Sequence, residues 1–481
     1  MANWVRDAVA ALPADARAVV DDTPRPGAPA VWTFGGLLDA SGHLAATLVE
    51  RGVGRGTVVL ALLGNTIENV LLTLACARIG APLLPCSEQL RAKDVALRVR
   101  RANPVLVVAD ERNRSVVEGA APPCPVAYVP DPALFAPRPA PPFAELTDDD
   151  PSFVLFTSGT SGEPKLVRHG QRYLWGQTLQ AREWLAAAPG ELVWSTAAPG
   201  WSKSARNCFV APWWCGAAAL IQDRRFDAVG RLDTVRRHGV QVLCMAPTEY
   251  RLIAAHGPIA DVGSLRRLVT AGEALGVPAW EAWRAQTGLE ISDGYGQTET
   301  GQVSGTPPGE TAPPGSMGRP LPGVRVEIVA GELCIEPATL PAFFLGYGTG
   351  SVGAGLWHTG DTVRQDDDGW LFFQARADDV IISAGYRIGP AEVESTLMGH
   401  PAVRECAVLA VPDDSRGSVV GVAVVLRAGF AGSADLVADM QAYTRAETAP
   451  YKYPRRIWFV DELPKTPSGK TVRSAISVPP G

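Results

Sequence analysis

From residue 34 the apolar positions Phe34, Leu37, Leu38, Leu44, Ala45, Leu48 and Val49 recur at the three-and-four spacing of one helix face, and Gly52 stands where a cap would end it. The run TVVLALL at 57–63 predicts a strand. Helical patterns follow near 66–79, closing at Gly80, and near 91–102, before the apolar run VLVVAD at 105–110. Strands alternating with helices predict a mainly parallel sheet covered on both faces. The proline-rich segment 121–142 reads as a surface connection before the chain re-enters the sheet at SFVLF.

The last hundred residues have a different grain, with a helix at PAEVESTLM (390–398), strands at 406–411 and 420–426, an amphipathic helix near 434–445 and a short strand IWFV. They suffice for a small α+β unit with its own core. The boundary falls at RADD, residues 376–379, dividing the chain into 1–377 and 378–481. The fold class expected is α/β, a large N-terminal domain of sheets packed with helices followed by this smaller unit.

A length of 481 residues fits that division into a large and a small domain. The net charge of -6 gives no electrostatic reason to expect nucleic acid. The eight cysteines are scattered, with no CxxC pair and no Cys/His cluster at zinc spacing, as buried thiols of a reducing compartment would be. The first twenty-two residues lack an apolar core followed by a small-residue cleavage site, and no apolar run approaches membrane length, so the cytoplasm is the compartment expected. Only six of the basic residues are lysines (Lys93, Lys165, Lys203, Lys452, Lys465, Lys470), which singles out each as a place where a compact point charge is wanted.

After SFVLF comes TSGTSGEPK, in which Thr157, Ser158, Gly159, Thr160, Ser161, Gly162 and Lys165 can wrap backbone N–H groups, hydroxyls and one ammonium around phosphate oxygens. The spacing is not that of a P-loop, because Pro164 precedes the lysine and no Ser or Thr follows it. Further on come TAGEAL (270–275), DGYGQTETG (293–301), WHTGD (357–361), RADDVIISAGYRIGPAEVE (376–394) and PKTPSGK (464–470). With these motifs in this order, over roughly residues 30–475, the chain resembles the adenylate-forming superfamily of acyl-CoA synthetases, peptide-synthetase adenylation domains and luciferases. GYRIGPAEVE and PGWSKSARNCFVAPW are most similar to the medium-chain acyl-CoA synthetases.

The resemblance implies a mobile C-terminal domain above the large one, and ATP, Mg2+ and coenzyme A as cofactors. Activation of a carboxylate lets substrate oxygen attack the α-phosphate of ATP, so the protein's task is positioning and charge stabilisation. By similarity Thr298 binds the α-phosphate, Glu299 holds magnesium and Lys470 spans the attacking carboxylate and the phosphate. Tyr295 stacks on adenine, beside Gly272, Glu273, Asp293 and Gly294, while Asp361 takes the ribose hydroxyls with Arg376 close by. Asp378 matches the hinge, and after rotation Gly385, Tyr386 and Arg387 serve the thiol step. Trp201, Ser202, Gly294 and Gly296 line the acyl pocket; Trp213 and Trp214 read as core rather than substrate contacts.

Gly296 stands where acetyl-CoA synthetase has a tryptophan, so its missing side chain is expected to leave room for acids well beyond acetate. A hydrophobic wall suits a fatty, aromatic or terpenoid acid. The position before Gly200, where amino-acid-activating relatives carry an aspartate, belongs to an Ala-Ala-Pro run, which places aminoacyl adenylation second. An acyl carrier protein is the alternative acceptor, and a kinase-like reaction would release ADP instead of AMP. Two departures, Ala375 before the hinge arginine and a short stretch between Glu336 and Trp357, bear on oligomer contacts and substrate range rather than on adenylation.

Overall fold

The buried apolar runs become the inner strands of two large sheets. The computed structural model describes residues 3–157, 164–259, 261–273, 275–376, 379, 381–383, 386–413, 417–448, 452–465 and 471–479. One sheet has seven strands, in the order Gly346–Tyr347, Lys165–Gly170, Pro151–Thr157, Leu83–Pro85, Val59–Leu62, Leu106–Asp110 and Val126–Val129. Its inner neighbours run parallel, and all four residues of Val59–Leu62 are buried, as a strand covered on both faces requires. The helix Phe34–Glu50 begins where Thr33 Oγ1 accepts from Gly36 N at 3.1 Å, and the helix Ile67–Ile79 ends on Gly80 at φ +72.

The second sheet has nine strands, with Ile291–Gln297, Arg267–Ala271, Val242–Met245, Leu192–Ser195, Ala218–Ile221 and Arg17–Asp21 running parallel at its centre. Antiparallel strands close its edges, among them Gly301–Gly305 beside Ile291–Gln297. A four-stranded antiparallel sheet carries Trp357–Gln365 against Leu371–Arg376. Trp213 is core, as its sequence context suggests: it stacks on Trp4 at 5.8 Å and donates to the Ala18 carbonyl at 3.0 Å.

The C-terminal part forms its own three-stranded sheet, Val403–Asp413, Gly417–Leu426 and Arg456–Phe459, longer at the first two strands than the hydrophobic runs alone indicate. Helices Pro390–Met398 and Ala434–Glu447 cover it over a core that includes Val393, Leu397, Val408, Val422 and Met440. Arg473 ties the end of the chain to this unit, reaching both oxygens of Glu394 at 2.7 and 2.8 Å and Asp379 at 3.2 Å.

Candidate active site

Described residues from several of the sequence motifs come together where the edges of the three N-terminal sheets meet. Thr157 ends one strand and Lys165 begins the next, and the two are paired in register across the loop they bracket. Lys165 Nζ lies 5.1 Å from the centre of the Tyr347 ring, and Tyr347 Oη donates to Glu299 Oε1 at 2.7 Å. Burial together with the Glu299 carboxylate holds the Tyr347 phenol well above its ordinary range, so it stays a donor. The backbone of Thr298 and Glu299 is fixed from below. His169 bonds the Thr298 carbonyl at 2.8 Å, and Phe344 N donates to the Glu299 carbonyl at 2.9 Å. Burial pushes His169 down to about 3, so the imidazole is neutral and Nε2 carries the proton that it donates.

The second group forms around Asp361, which is 4% exposed. Its carboxylate accepts from Tyr295 Oη and from Gln297 Nε2 at 2.9 Å, and Arg376, its cross-strand partner, lies 3.5 Å away. Gln297 is itself aimed by Trp357, whose indole donates to Gln297 Oε1 at 3.1 Å. Gly360 at φ +71 makes the turn that presents Asp361, and its N–H donates to Glu332 Oε1 at 2.8 Å. Tyr295, Asp361 and Arg376 are thus brought together as the motifs suggest, with Gln297 and Trp357 as members that motif reading passed over.

Gly272 adopts φ +106, and a Cβ there would lie 3.1 Å from Lys203 Nζ, which donates to the Ala271 carbonyl at 2.9 Å. Glu273 accepts from Thr248 N at 2.8 Å and from the Thr248 hydroxyl at 2.5 Å. Burial works to raise Glu273, but Arg251 and the Thr248 bonds outweigh it and hold the carboxyl below its usual range. Burial pushes the Asp293 carboxyl well above its usual range, against the bond from Gly294 N at 2.8 Å, which works to lower it.

Trp201 and Ser202 line a narrow cavity with Asn69, Phe153, Leu155 and Tyr173, with room for about one water molecule. Gly296 requires a correction. A Cβ there would lie 1.9 Å from the Gly301 carbonyl oxygen and 3.1 Å from Gln302 Cα, so the missing side chain points into the neighbouring strand and leaves no pocket volume open. The strand pair is irregular at this point, between Tyr295 and Gly296, and the glycine permits that close approach. Gly294 is similar, since its Cβ would lie 2.2 Å from Gln302 Nε2 and 2.9 Å from Trp184 Nε1. Gly296→Ala should therefore destabilise the fold by about 3 kcal/mol in a denaturant titration, because backbone must move to admit the methyl. An unchanged midpoint, with a shift toward shorter acids, would restore the pocket reading.

Ser158, Gly159, Thr160, Ser161, Gly162, Asp378, Gly385 and Lys470 lie outside the described residues, and of Tyr386 and Arg387 only the backbone is described. The site residues up to Glu299 fall within a recognised sequence pattern, whereas Tyr347, Trp357, Asp361 and Arg376 lie between two such patterns. A profile described as AMP-binding enzyme matches residues 5–339, and one described as AMP-binding enzyme C-terminal domain matches residues 392–470. The chain belongs to the AMP-binding enzyme family. Among curated relatives of this AMP-binding enzyme, the uncharacterized acyl-CoA ligase YtcI of Bacillus subtilis is 35% identical over 92% of this chain and 89% of its own. The human mitochondrial acyl-coenzyme A synthetase ACSM4 is 36% identical over 92% of this chain and 83% of its own. The crystal structure of the anthranilate CoA ligase AuaEII with anthranoyl-AMP superposes with a TM-score of 0.88 at 25% identity, covering 95% of this chain and 93% of that one.

Proposed function

We infer that this ATP-dependent acyl-CoA ligase joins an organic acid of medium size, with a hydrophobic or bulky body, to AMP and then passes the acyl group to coenzyme A. The observation that carries this reading is the meeting of Lys165, Thr298 and Glu299 with the Tyr295–Asp361–Arg376 group at one junction of three sheets. In the first step a carboxylate oxygen attacks the α-phosphorus and the bond to the β-phosphate breaks, releasing pyrophosphate. In the second the thiol sulfur attacks the acyl carbon, the thiol loses its proton, and AMP leaves. Thr298 is assigned to the α-phosphate, Lys165 and the loop from Thr157 to the outer phosphates, Asp361 to the ribose, and Tyr295 with Gly272, Glu273, Asp293 and Gly294 to the base. Lys470 serves the first step, and Gly385, Tyr386 and Arg387 the second, after a rotation about Asp378 at the boundary between 1–377 and 378–481.

Glu299 fits a magnesium ligand. It is a 9% exposed carboxylate with Oε1 taken by Tyr347, and Oε2 makes no hydrogen bond among the described residues. A hard oxygen donor in that position suits Mg2+, which would neutralise phosphate charge when bound. Glu299→Gln keeps the shape and removes the charge; we expect about 100-fold slower pyrophosphate release and a raised magnesium requirement. Wild-type rates at wild-type magnesium levels would take Glu299 out of this role.

The apolar lining Phe153, Leu155, Tyr173 and Trp201 favours an apolar body for the acid, and the space it now encloses, about one water in size, has to widen to admit one. Coenzyme A is favoured over a carrier protein because the relatives are named for it. The eight free cysteines fit a reducing compartment, and the cytoplasm is the one proposed. Among the described residues no helix is long and apolar enough to cross a membrane. Pyrophosphate release from ATP across a panel of acids, read before and after coenzyme A is added, tests the whole reading. Release that depends on the acid supports it, and release with none of them refutes it.

A further inference from the structure

Arg206 opens the short π-helical turn Arg206–Val210 and is 4% exposed. Among the described residues neither Nε nor Nη1 meets a hydrogen-bond partner and no carboxylate pairs with the guanidinium, whose charge bears on Lys203 and His169. The one other arginine buried as deeply among the described residues is satisfied, and beyond these two the only arginine atoms buried without a partner are the Nε atoms of Arg168 and Arg319. Arg231, 6% exposed, reaches Glu249 at 2.9 Å and Gln222 at 2.7 Å. A guanidinium stays charged at any working pH, and an isolated one in the interior is costly unless an anion joins it. Turns of the π type also concentrate at functional sites.

The surroundings place this cation beside the proposed reaction centre. A Cβ on Gly301 would lie 3.5 Å from Arg206 Nη1 and 3.1 Å from Ala342 Cβ. Gly301 and Gln302 follow Glu299 in the same hairpin, and Gln302 and Ala342 wall a small cavity with Gln177, Gln180 and Pro341. Gln180 Oε1 and Gln302 Oε1 are likewise without partners, their amide nitrogens being committed to Asn207 Oδ1 at 2.9 Å and to the Ser304 carbonyl at 2.8 Å. Gln180 and Gln302 thus bring unpaired acceptors to the wall of this space, and Arg206 lies behind that wall, near Gly301 and Ala342, without lining the space itself.

We propose that Arg206 binds a second carboxylate of the acid substrate, one that is not activated, so that the acids accepted include dicarboxylic acids. This rests on the acyl-CoA ligase reading. The reacting carboxylate is the poorer candidate, because it loses its charge when the adenylate forms. An arginine that held it would stabilise the ground state more than the transition state and would then be left alone again. A second carboxylate keeps its charge through both steps. The Gln180 and Gln302 carbonyl oxygens are placed to accept from a hydroxyl or a water that accompanies it.

The test uses the full chain and pairs of straight-chain acids of equal length, such as pentanoate with glutarate and hexanoate with adipate, alongside inorganic phosphate. Thermal stabilisation reads binding, and pyrophosphate release reads turnover. The wild type should be stabilised by the diacids and should use them with a kcat/KM about 30-fold above their monoacid partners. Arg206→Met should lower that ratio about 100-fold, and Arg206→Lys should recover part of it through KM. A wild type that favours the monoacids, with a ratio unmoved by Arg206→Met, overturns the proposal. So does Arg206-dependent stabilisation by phosphate but by neither diacid. Should Arg206→Met fail to fold, the wild-type ratio and the lysine variant decide alone. Absence of pyrophosphate with every acid, while diacids still stabilise wild type and not the methionine variant, would refute the ligase reading and leave the anion site standing.

Discussion

Replacing Lys470 by alanine should slow acyl-adenylate formation about 1000-fold while leaving transfer from a supplied acyl-adenylate to coenzyme A within about threefold of wild type. The ammonium is assigned to the moment when carboxylate and α-phosphate, both negative, are brought together, where a point charge stabilises the transition state more than either ground state. In the second step the carboxylate and the α-phosphate are already joined as a mixed anhydride and sulfur attacks the acyl carbon, so the same charge has little left to stabilise. The measurement is pyrophosphate release for the first step and acyl-CoA formation from synthetic acyl-AMP for the second. Equal loss in both would mean that one arrangement of the C-terminal unit serves both steps, and the proposed hinge at Asp378 would fall with it.

Asp361→Ala should raise KM for ATP about 100-fold. The carboxylate is buried and holds Tyr295, Gln297 and Arg376, so alanine removes the proposed ribose acceptor and takes from three polar groups a partner they share. A loss of order alone would mimic this, which is why the nucleotide is varied as well. Wild type should use 2′,3′-dideoxy-ATP far less well than ATP, and in the variant that difference should vanish. If wild type accepts both nucleotides equally, Asp361 organises the sheet edge and does not read the ribose.

What the sequence disclosed, and what it did not, divides along physical lines. The strand Val59–Leu62 and the helices Phe34–Glu50 and Ile67–Ile79 were legible because burial on two faces, or on one stripe, writes its period directly into the chain. Tyr295, Asp361 and Arg376 were legible through family motifs, although 66 residues separate Tyr295 from Asp361 and only the packing of one sheet against another brings them within bonding distance. Gln297 and Trp357 sit inside those same motifs, but their task, aiming Asp361, depends on a contact between two sheets that no local pattern records. Gly296 misled because a glycine in a motif reads equally as open space or as close backbone approach, and coordinates alone show the Gly301 carbonyl where a side chain would go. Arg206 had a signal, a charge within the mostly apolar run SARNCFVAPW, yet nothing in the sequence tells a surface arginine from a buried one without a partner.

The most direct measurement follows an oxygen atom. If the acid is supplied with its carboxylate labelled with 18O and turned over with ATP and coenzyme A, the adenylate route carries one labelled oxygen across the new P–O bond. Thiol attack then breaks the bond at the acyl carbon. AMP should leave with one 18O atom in its phosphate, and pyrophosphate and acyl-CoA should appear in equal amounts. ADP as the nucleotide product, or the label in inorganic phosphate instead of AMP, would contradict activation through an acyl-adenylate.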